Sequence, residues 1–202
     1  MGRRVRAYVG LGANVGDSRA TLTQAVGALA ALPGTRLRGV SRLYRTKPVG
    51  VTDQADFLNA VVALDVPSGP DPATGATNLL VALKGLEREF GRRKGARWGP
   101  RELDLDLLVF GRHRLAIERP PEGVPLSAAI DPGAAARLLE VPHPSMRDRL
   151  FVLAPMADLA PGLVPPTWHE SIETARRRRQ AVEGADAAVA IGPLAASTRS
   201  PR

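Results

Sequence analysis

Two aspartates, Asp104 and Asp106, are separated by one leucine within an otherwise apolar run, residues 103–110. That run predicts a β-strand, in which residues two apart point to the same face with Cα atoms roughly 6.6 to 6.8 Å apart. Two carboxylates at this spacing repel each other unless a cation lies between them, and hard oxygen ligands suit Mg²⁺. The alternative for an isolated pair is the solvated polar face of a strand. The opposite, core-facing side should be formed by Leu103, Leu105, Leu107 and Val109.

A basic segment precedes the two aspartates and favours the metal-binding alternative. Residues 92–101 contain five basic residues and no acidic residue. Arginine guanidinium groups match phosphate oxygens bidentately, and metal-binding acids beside phosphate-binding cations are the working parts of phosphoryl transfer. The segment is also rich in glycine and proline, which would let it move and then lock as a lid does. A soluble basic loop without such a role is the alternative.

Four other positions could contribute to a binding site. Phe57 and Asn59 lie on a predicted strand, residues 57–66, where an aromatic face beside an amide could hold a flat heterocycle. They could equally be core and edge residues. His143 stands between two prolines, and Arg149 follows six residues later as a possible phosphate donor. A lone histidine is more often structural.

The order of predicted elements indicates the fold class. Strand and helix patterns alternate as β-α-β-β-α-β, which is the split pattern of a ferredoxin-like α+β fold with an antiparallel sheet and helices packed on it. The turn-rich stretch GANVGD ends at Ser18, a plausible helix N-cap, and the glycines of GLGANVGD do not have the G-x-G-x-x-G spacing of a dinucleotide-binding loop. The predicted strands span residues 4–11, 35–44, 57–66 and 103–110, with helices after Ser18 and around residues 79–90.

The rest of the chain carries weaker patterns. Residues 112–138 are interpreted as an extended insertion, and residues 170–183 as a short helix that carries four consecutive arginines. The last 20 residues are rich in Ala, Gly and Ser and are predicted to be loose. We therefore expect one domain over residues 1–165, followed by a C-terminal helix and tail over residues 166–202.

Composition narrows the class of protein. The chain of 202 residues has no cysteine, which excludes disulfides and thiolate metal sites and favours a cytoplasmic location. No apolar run is long enough to cross a membrane. The net charge of +8 invites a nucleic-acid partner, but only 4% of residues are aromatic, which leaves few platforms for base stacking. The four arginines are interpreted as a solvated helix face, and a phosphate-rich small molecule explains the basic segment equally well.

Taken together, these motifs resemble those of one enzyme family, the 6-hydroxymethyl-7,8-dihydropterin pyrophosphokinases of folate biosynthesis. The resemblance covers most of residues 5–160, and RWGPR followed by D-x-D is its most specific part. It implies a ferredoxin-like α+β fold and transfer of the pyrophosphoryl group of ATP to the pterin hydroxymethyl oxygen, with AMP as the other product. The motifs that carry it are GLGANVGD, SRLYRTKPVG, DFLNAVV, LEREFGRR, RWGPRELDLDLL and VPHPSMRDRLFVLAPM.

The resemblance also implies a role for individual residues. The catalytic group would be Arg92, Arg101, Asp104 and Asp106, of which the two aspartates would hold two Mg²⁺ ions. The pterin would be bound by Thr46, Lys47, Val49, Phe57, Asn59 and Phe151, with the two phenylalanines on either side of its ring. The ATP side would be lined by Glu87, Arg92, Lys94, Trp98, Arg101, His143 and Arg149.

Some expectations stay open at this point. Residues 112–138 are longer than the connection in compact family members, which leaves open which basic residue before His143 would meet ATP. Arg137 is the nearest, but it is one place out of register. The residues after about 165 match nothing in the family. A basic ferredoxin-like RNA-binding module and another Mg²⁺-dependent nucleotidyl or phosphoryl transferase are the alternatives. We expect a monomer that acts on small molecules, with no membrane and no nucleic acid as partner.

Overall fold

The computed structural model describes residues 3–48, 53–91, 99–120 and 136–194. The β-α-β-β-α-β order is confirmed, except that its second strand is divided in two. Within the described residues, two further α-helices and three further strands follow it. The elements are β1 (Arg4–Ala13), α1 (Ser18–Ala31), β2 (Arg36–Val40), β3 (Arg42–Thr46), β4 (Phe57–Pro67), α2 (Pro72–Glu89), β5 (Asp104–Phe110), β6 (Leu115–Glu118), β7 (Arg137–Val141), α3 (Leu150–Leu159), α4 (Ile172–Glu183) and β8 (Val189–Pro193).

Six of the strands form one antiparallel sheet in the order β5-β1-β4-β3-β8, and β2 pairs with β4 beside β3. The predicted single strand over residues 35–44 is divided at Ser41. The N–H of Ser41 donates to the Val61 carbonyl at 2.9 Å, and its hydroxyl accepts from the Val61 N–H at 2.9 Å. The Ser41 hydroxyl thus replaces a backbone carbonyl as the acceptor for the Val61 N–H. The chain can therefore bend at Ser41 while β4 stays hydrogen-bonded.

Helices cover both faces of the sheet. On one face, α1 and α2 bury the leucines whose spacing predicted these two helices. Leu22, Leu29 and Leu83 are examples, and none of them has exposed surface. On the other face, α3 and α4 pack over a second cluster that includes Leu153. Both helical predictions are confirmed, but the N-cap of α1 is Asp17, one residue before Ser18, because its carboxylate accepts from the Ala20 N–H at 3.0 Å.

A β-bulge changes the predicted faces of β5. Leu105 and Leu107 point into the core beneath α1 and α2, as predicted. Val109 is buried as predicted, but its predicted face is wrong, because the pairing of β5 with β1 skips Leu108 and shifts the register there. Leu108 and Val109 therefore both pack in the cluster beneath α3 and α4.

The C-terminal part of the chain is more ordered than its composition predicts. β6 and β7, at the two ends of the predicted insertion, pair as a two-stranded antiparallel sheet, while residues 121–135 lie outside the described residues. The predicted helix over residues 170–183 is confirmed as α4. The prediction of a loose tail is wrong for residues 189–193, because they form β8, which hydrogen-bonds to β3 and extends the main sheet.

The arginine run on α4 is held in ion pairs with glutamates of the same region. Arg176 and Arg177 pair with Glu173 at 2.8 and 2.7 Å, and Arg178 pairs with Glu170 at 3.2 Å. Arg179 pairs with Glu183. The two arginines beside Glu173 lower the pKa of its carboxyl to about 2. Local pairing of this kind agrees with a solvated helix face. Within the described segments, no helix is both long and apolar enough to cross a membrane.

Candidate functional site

The two aspartates stand over a floor made by glycines. In the pairing of β5 with β1, Asp104 lies opposite Gly12 and Asp106 lies opposite Gly10. Directly opposed residues of an antiparallel pair point to the same face, so both carboxylates share a face with two positions that have no side chain. A Cβ atom on Gly12 would lie 3.2 Å from the Asn59 Oδ1. Glycine therefore keeps the space above the aspartates open.

This space is a cavity of about 290 Å³ that gathers most of the predicted site residues the structure describes. The predicted residues that line it are Thr46, Lys47, Phe57, Asn59, Arg101, Asp104, Asp106, Arg149 and Phe151. The sequence analysis missed several others: Gly10, Leu11, Gly12, Ala60, Val61, Gly99, Leu108 and Val152. Of the predicted residues, Val49, Arg92, Lys94 and Trp98 lie outside the described residues.

A buried amide sits at one side of the cavity. Asn59, which is 6% exposed, donates from Nδ2 to the Thr46 hydroxyl at 2.8 Å. Phe57 lies on the same strand, opposite Thr46 in the pairing of β4 with β3. One N–H of the amide is engaged with Thr46 and orients the group, so the amide oxygen and the second N–H are what Asn59 can present to a ligand. This wall therefore combines an aromatic ring with an oriented hydrogen-bond acceptor.

Arg101 is placed by a buried asparagine that sequence reasoning missed. The backbone N–H of Arg101 donates to the Asn14 Oδ1 at 2.8 Å, and its carbonyl accepts from the Asn14 N–H at 3.0 Å. The Nδ2 of Asn14 also donates to the Gln54 Oε1 at 3.0 Å and to the Ala55 carbonyl at 3.1 Å. One residue thus fastens β1, the segment before β5 and the segment before β4. The Arg101 guanidinium lies 3.8 Å from the Asp104 carboxylate.

Glu87 lies behind the strand that carries the aspartates and does not line the cavity described above. It is 2% exposed, and its Oε1 accepts from the Leu105 N–H at 2.8 Å and from the Lys84 Nζ at 2.7 Å. The same Lys84 Nζ donates to the Leu105 carbonyl at 3.1 Å. Both polar backbone groups of the residue between the two aspartates are therefore held by α2. In the structure, Glu87 therefore holds the backbone of β5. Its predicted contact with ATP stays a prediction.

His143 lies behind Leu108, one of the residues that line the cavity. Its backbone N–H donates to the Leu108 carbonyl at 2.9 Å, and its Nδ1 accepts from the Ser145 N–H at 3.3 Å. This contact assigns the ring proton to Nε2. Burial lowers the pKa of His143 below its ordinary value of 6.5, an effect that the nearby Asp106 carboxylate opposes. Arg149, on the cavity side, has its guanidinium carbon 5.6 Å from the centre of the Phe151 ring.

Glu87→Ala should lower the free energy of unfolding by about 1 to 3 kcal/mol, because it leaves the buried N–H of Leu105 without its acceptor. Urea denaturation followed by circular dichroism measures this difference. Glu89→Ala is the matched control, since Glu89 is an exposed glutamate on the same helix, and it should change stability by less than about 0.5 kcal/mol. Equal losses in the two variants would contradict the role given to Glu87.

Stability should also fall between pH 7.5 and pH 5.5, in part through His143. Because burial lowers its pKa in the folded protein, acidification below the ordinary value of 6.5 protonates the unfolded chain first and favours unfolding. His143→Gln removes this contribution, so the variant should lose less stability than the parent protein over the same pH interval. Urea unfolding at both pH values measures the two losses, and identical losses would rule out the assignment.

Most of the chain matches one family of known proteins. Residues 8–161 match the family described as 7,8-dihydro-6-hydroxymethylpterin-pyrophosphokinase (HPPK). A 2-amino-4-hydroxy-6-hydroxymethyldihydropteridine pyrophosphokinase of Pseudomonas aeruginosa is 42% identical over 161 residues, which cover 80% of this chain and 84% of that protein. The protein of the same name in Bacillus subtilis is 39% identical over 153 residues, covering 76% of this chain and 77% of the relative.

Solved structures agree on the fold. The wild-type HPPK-DHPS of Plasmodium falciparum matches with a TM-score of 0.66 and 13% sequence identity, over 91% of this chain. This chain spans 46% of that longer protein. At this identity the likeness concerns the fold alone, and it agrees with a ferredoxin-like arrangement. Since the family match extends over well more than half of the sequence, the chain belongs to the 7,8-dihydro-6-hydroxymethylpterin-pyrophosphokinase family.

Proposed function

We propose that the cavity above Asp104 and Asp106 is the place where this chain transfers the pyrophosphoryl group of ATP to 6-hydroxymethyl-7,8-dihydropterin. The products are AMP and the pterin diphosphate, and the reaction belongs to folate biosynthesis. The observation that carries the proposal is that one cavity joins the paired carboxylates, Arg101 and the wall of Phe57 and Asn59. ATP is the co-substrate that the family implies.

The paired carboxylates suit Mg²⁺. Asp104 and Asp106 point to one face of a rigid strand and line the cavity. Protein sites for Mg²⁺ commonly use one or two carboxylates and leave the other positions to water and substrate phosphates. We assign two Mg²⁺ ions to this pair, and when bound they would neutralise charge on the phosphates of ATP. The aspartates would hold the ions, and Asp106 would also lie near the attacking hydroxyl group.

The cationic residues would bind and stabilise the transferring group. Arg101 lines the cavity beside Asp104, and its backbone is fixed by two hydrogen bonds to Asn14. A guanidinium held in this way can meet developing charge on phosphate oxygens without reorganising. Arg149 lines the same cavity and is assigned to ATP, as is Arg92 by family resemblance.

The pterin would occupy the side formed by β3, β4 and the start of α3. Phe57 and Phe151 both line the cavity and would bind the flat ring on its two faces. The amide of Asn59, oriented by its hydrogen bond to Thr46, would meet the hydrogen-bonding groups of the ring edge. Backbone groups near Lys47 and Val49 would complete the contact.

The reaction then depends on positioning and charge. The hydroxymethyl oxygen attacks the β-phosphorus of ATP, and the oxygen that bridges the α- and β-phosphorus atoms leaves with AMP. The proton of the hydroxymethyl group is released. We assign no side chain as a general base. The chain holds the two substrates in line and offers cations where negative charge moves.

The alternatives have less support. An RNA-binding module would use the arginine run, but those four side chains are paired with nearby glutamates. The family match also favours an enzyme over a binding module. A different nucleotidyl or phosphoryl transferase would give different nucleotide products. A monomeric state and a cytoplasmic location stay predictions, of which the first can be measured by light scattering.

Incubation with ATP, Mg²⁺ and 6-hydroxymethyl-7,8-dihydropterin should produce AMP and the pterin diphosphate in equal amounts. Separation of the nucleotides by ion-exchange chromatography identifies the product. Omission of Mg²⁺ should abolish the reaction, because the phosphates would then keep their full charge. Formation of ADP would indicate an ordinary kinase, and salt-sensitive RNA binding without turnover would support the binding module.

Arg101→Ala should lower the turnover number by ~10² to 10³, which is the scale expected when one charge partner of the transition state is removed. Steady-state kinetics at saturating ATP and pterin measure the effect. Arg112→Ala is the matched control, since Arg112 is an exposed arginine that does not line the cavity, and it should keep turnover within about two-fold of the parent protein. Near-normal turnover of Arg101→Ala would remove the role assigned to this arginine.

A further inference from the structure

Residues 162–194 follow the part of the chain that matches the family, yet they pack closely onto it. The family match ends at residue 161. Ile172 and Ala175 of α4 have no exposed surface and lie in one cluster with Val152, Leu153 and Met156 of α3. The structure therefore joins a segment without a family-assigned role to the helix whose first turn lines the cavity.

The first attachment is at the start of α3. The N-cap residue Arg149 makes no side-chain capping hydrogen bond. The N–H of Leu150 instead donates to the Glu183 Oε1 at 3.3 Å, from the end of α4. A carboxylate at a helix N-terminus satisfies a free N–H and interacts favourably with the helix dipole. Glu183 thus caps α3 from outside, directly between the two cavity residues Arg149 and Phe151.

The second attachment is at β3, the strand that ends at Thr46. β8 pairs with β3 through Arg45 opposite Val189 and Tyr44 opposite Ala190. Side-chain nitrogens of Arg19, on α1, donate to the carbonyls of residues 191 and 193 at 3.3 and 3.2 Å. The same C-terminal segment therefore holds the strand that leads to Thr46, another residue that lines the cavity.

A small apolar cluster connects the two attachments. Tyr44 of β3 packs with Leu150 and Ala154 of α3, and these side chains are 5%, 1% and 6% exposed. Ala187 and Ala188, in the turn between α4 and β8, pack against this cluster. β3 and α3 are in contact here, beneath the C-terminal segment. Because their side chains are closely packed, a displacement of one element would displace the other.

We propose that residues 162–194 form a brace that positions the pterin-binding side of the cavity. The brace fixes Phe151, in the first turn of α3, relative to β3 and its end at Thr46. Arg149, which is assigned to ATP, directly precedes the same turn. Glu183 is the positioning residue within it, because it holds the amide between the two cavity residues. The proposal rests on the proposed function, since it assumes that this side of the cavity binds the pterin.

The test compares Glu183→Ala with Glu183→Gln in the full chain. Glu183→Ala removes the acceptor of the Leu150 N–H, so hydrogen exchange at residues 150–153 should become faster. The dissociation constant and KM for 6-hydroxymethyl-7,8-dihydropterin should rise about 3- to 10-fold, the scale of one lost cap, while kcat stays within about two-fold. Glu183→Gln keeps a side-chain oxygen that can accept, and it should recover part of the affinity.

Glu173→Ala is the matched control, because Glu173 is a glutamate on the same helix whose partners are Arg176 and Arg177. Its pterin affinity and its exchange at residues 150–153 should equal those of the parent protein. Unchanged exchange in Glu183→Ala, or faster exchange with unchanged pterin affinity, would overturn the brace. A parent protein that does not bind the pterin would overturn the proposed function instead, and that measurement comes first.

Discussion

The candidate site depends on how the backbone of Leu105 is held. β5 lies at the edge of the main sheet, so only one of its sides can hydrogen-bond to another strand. An edge strand presents free N–H and C=O groups, and those of Leu105 are taken by Glu87 and Lys84. At the residue between Asp104 and Asp106, the outer side of the strand is thus held by α2, while its inner side pairs with β1. Two carboxylates that repel each other can keep a common direction because their backbone cannot twist away.

Alternation along two strands lets the same short segments build the core and the site. Leu105 and Leu107 point toward α1 and α2, whereas the aspartates beside them point to the opposite face. β1 follows the same rule, with Val9 in the core and Gly10 and Gly12 beneath the cavity. Packing of the leucines and valines therefore stabilises the platform on which the charged groups stand. A change of register by one residue would exchange the two faces.

Much of the positive charge of this chain is compensated locally. Asp65 accepts from Arg6 and Arg38 at 2.7 and 2.5 Å, and its pKa is lowered by the hydrogen bond from Arg6 first and by that from Arg38. Asp158 pairs with Arg42 and accepts from the Tyr44 hydroxyl. Exposed pairs of this kind contribute little stability, typically about 0 to 1 kcal/mol. Their consequence is electrostatic, since they reduce the attraction of these surfaces for polyanions, although the net charge is +8.

The sequence alone determined those features that follow from local periodicity. Helical spacing identified α1 and α2, and the two-residue repeat placed Asp104 and Asp106 on one face, because backbone geometry sets these periods without reference to distant residues. Only the tertiary structure decided which distant segments meet. It brought Gly10 and Gly12 opposite the aspartates through strand register, turned Glu87 toward the backbone of β5, placed a bulge in β5 and added β8 to the sheet. Register and burial depend on long-range packing, for which the local pattern contains no signal.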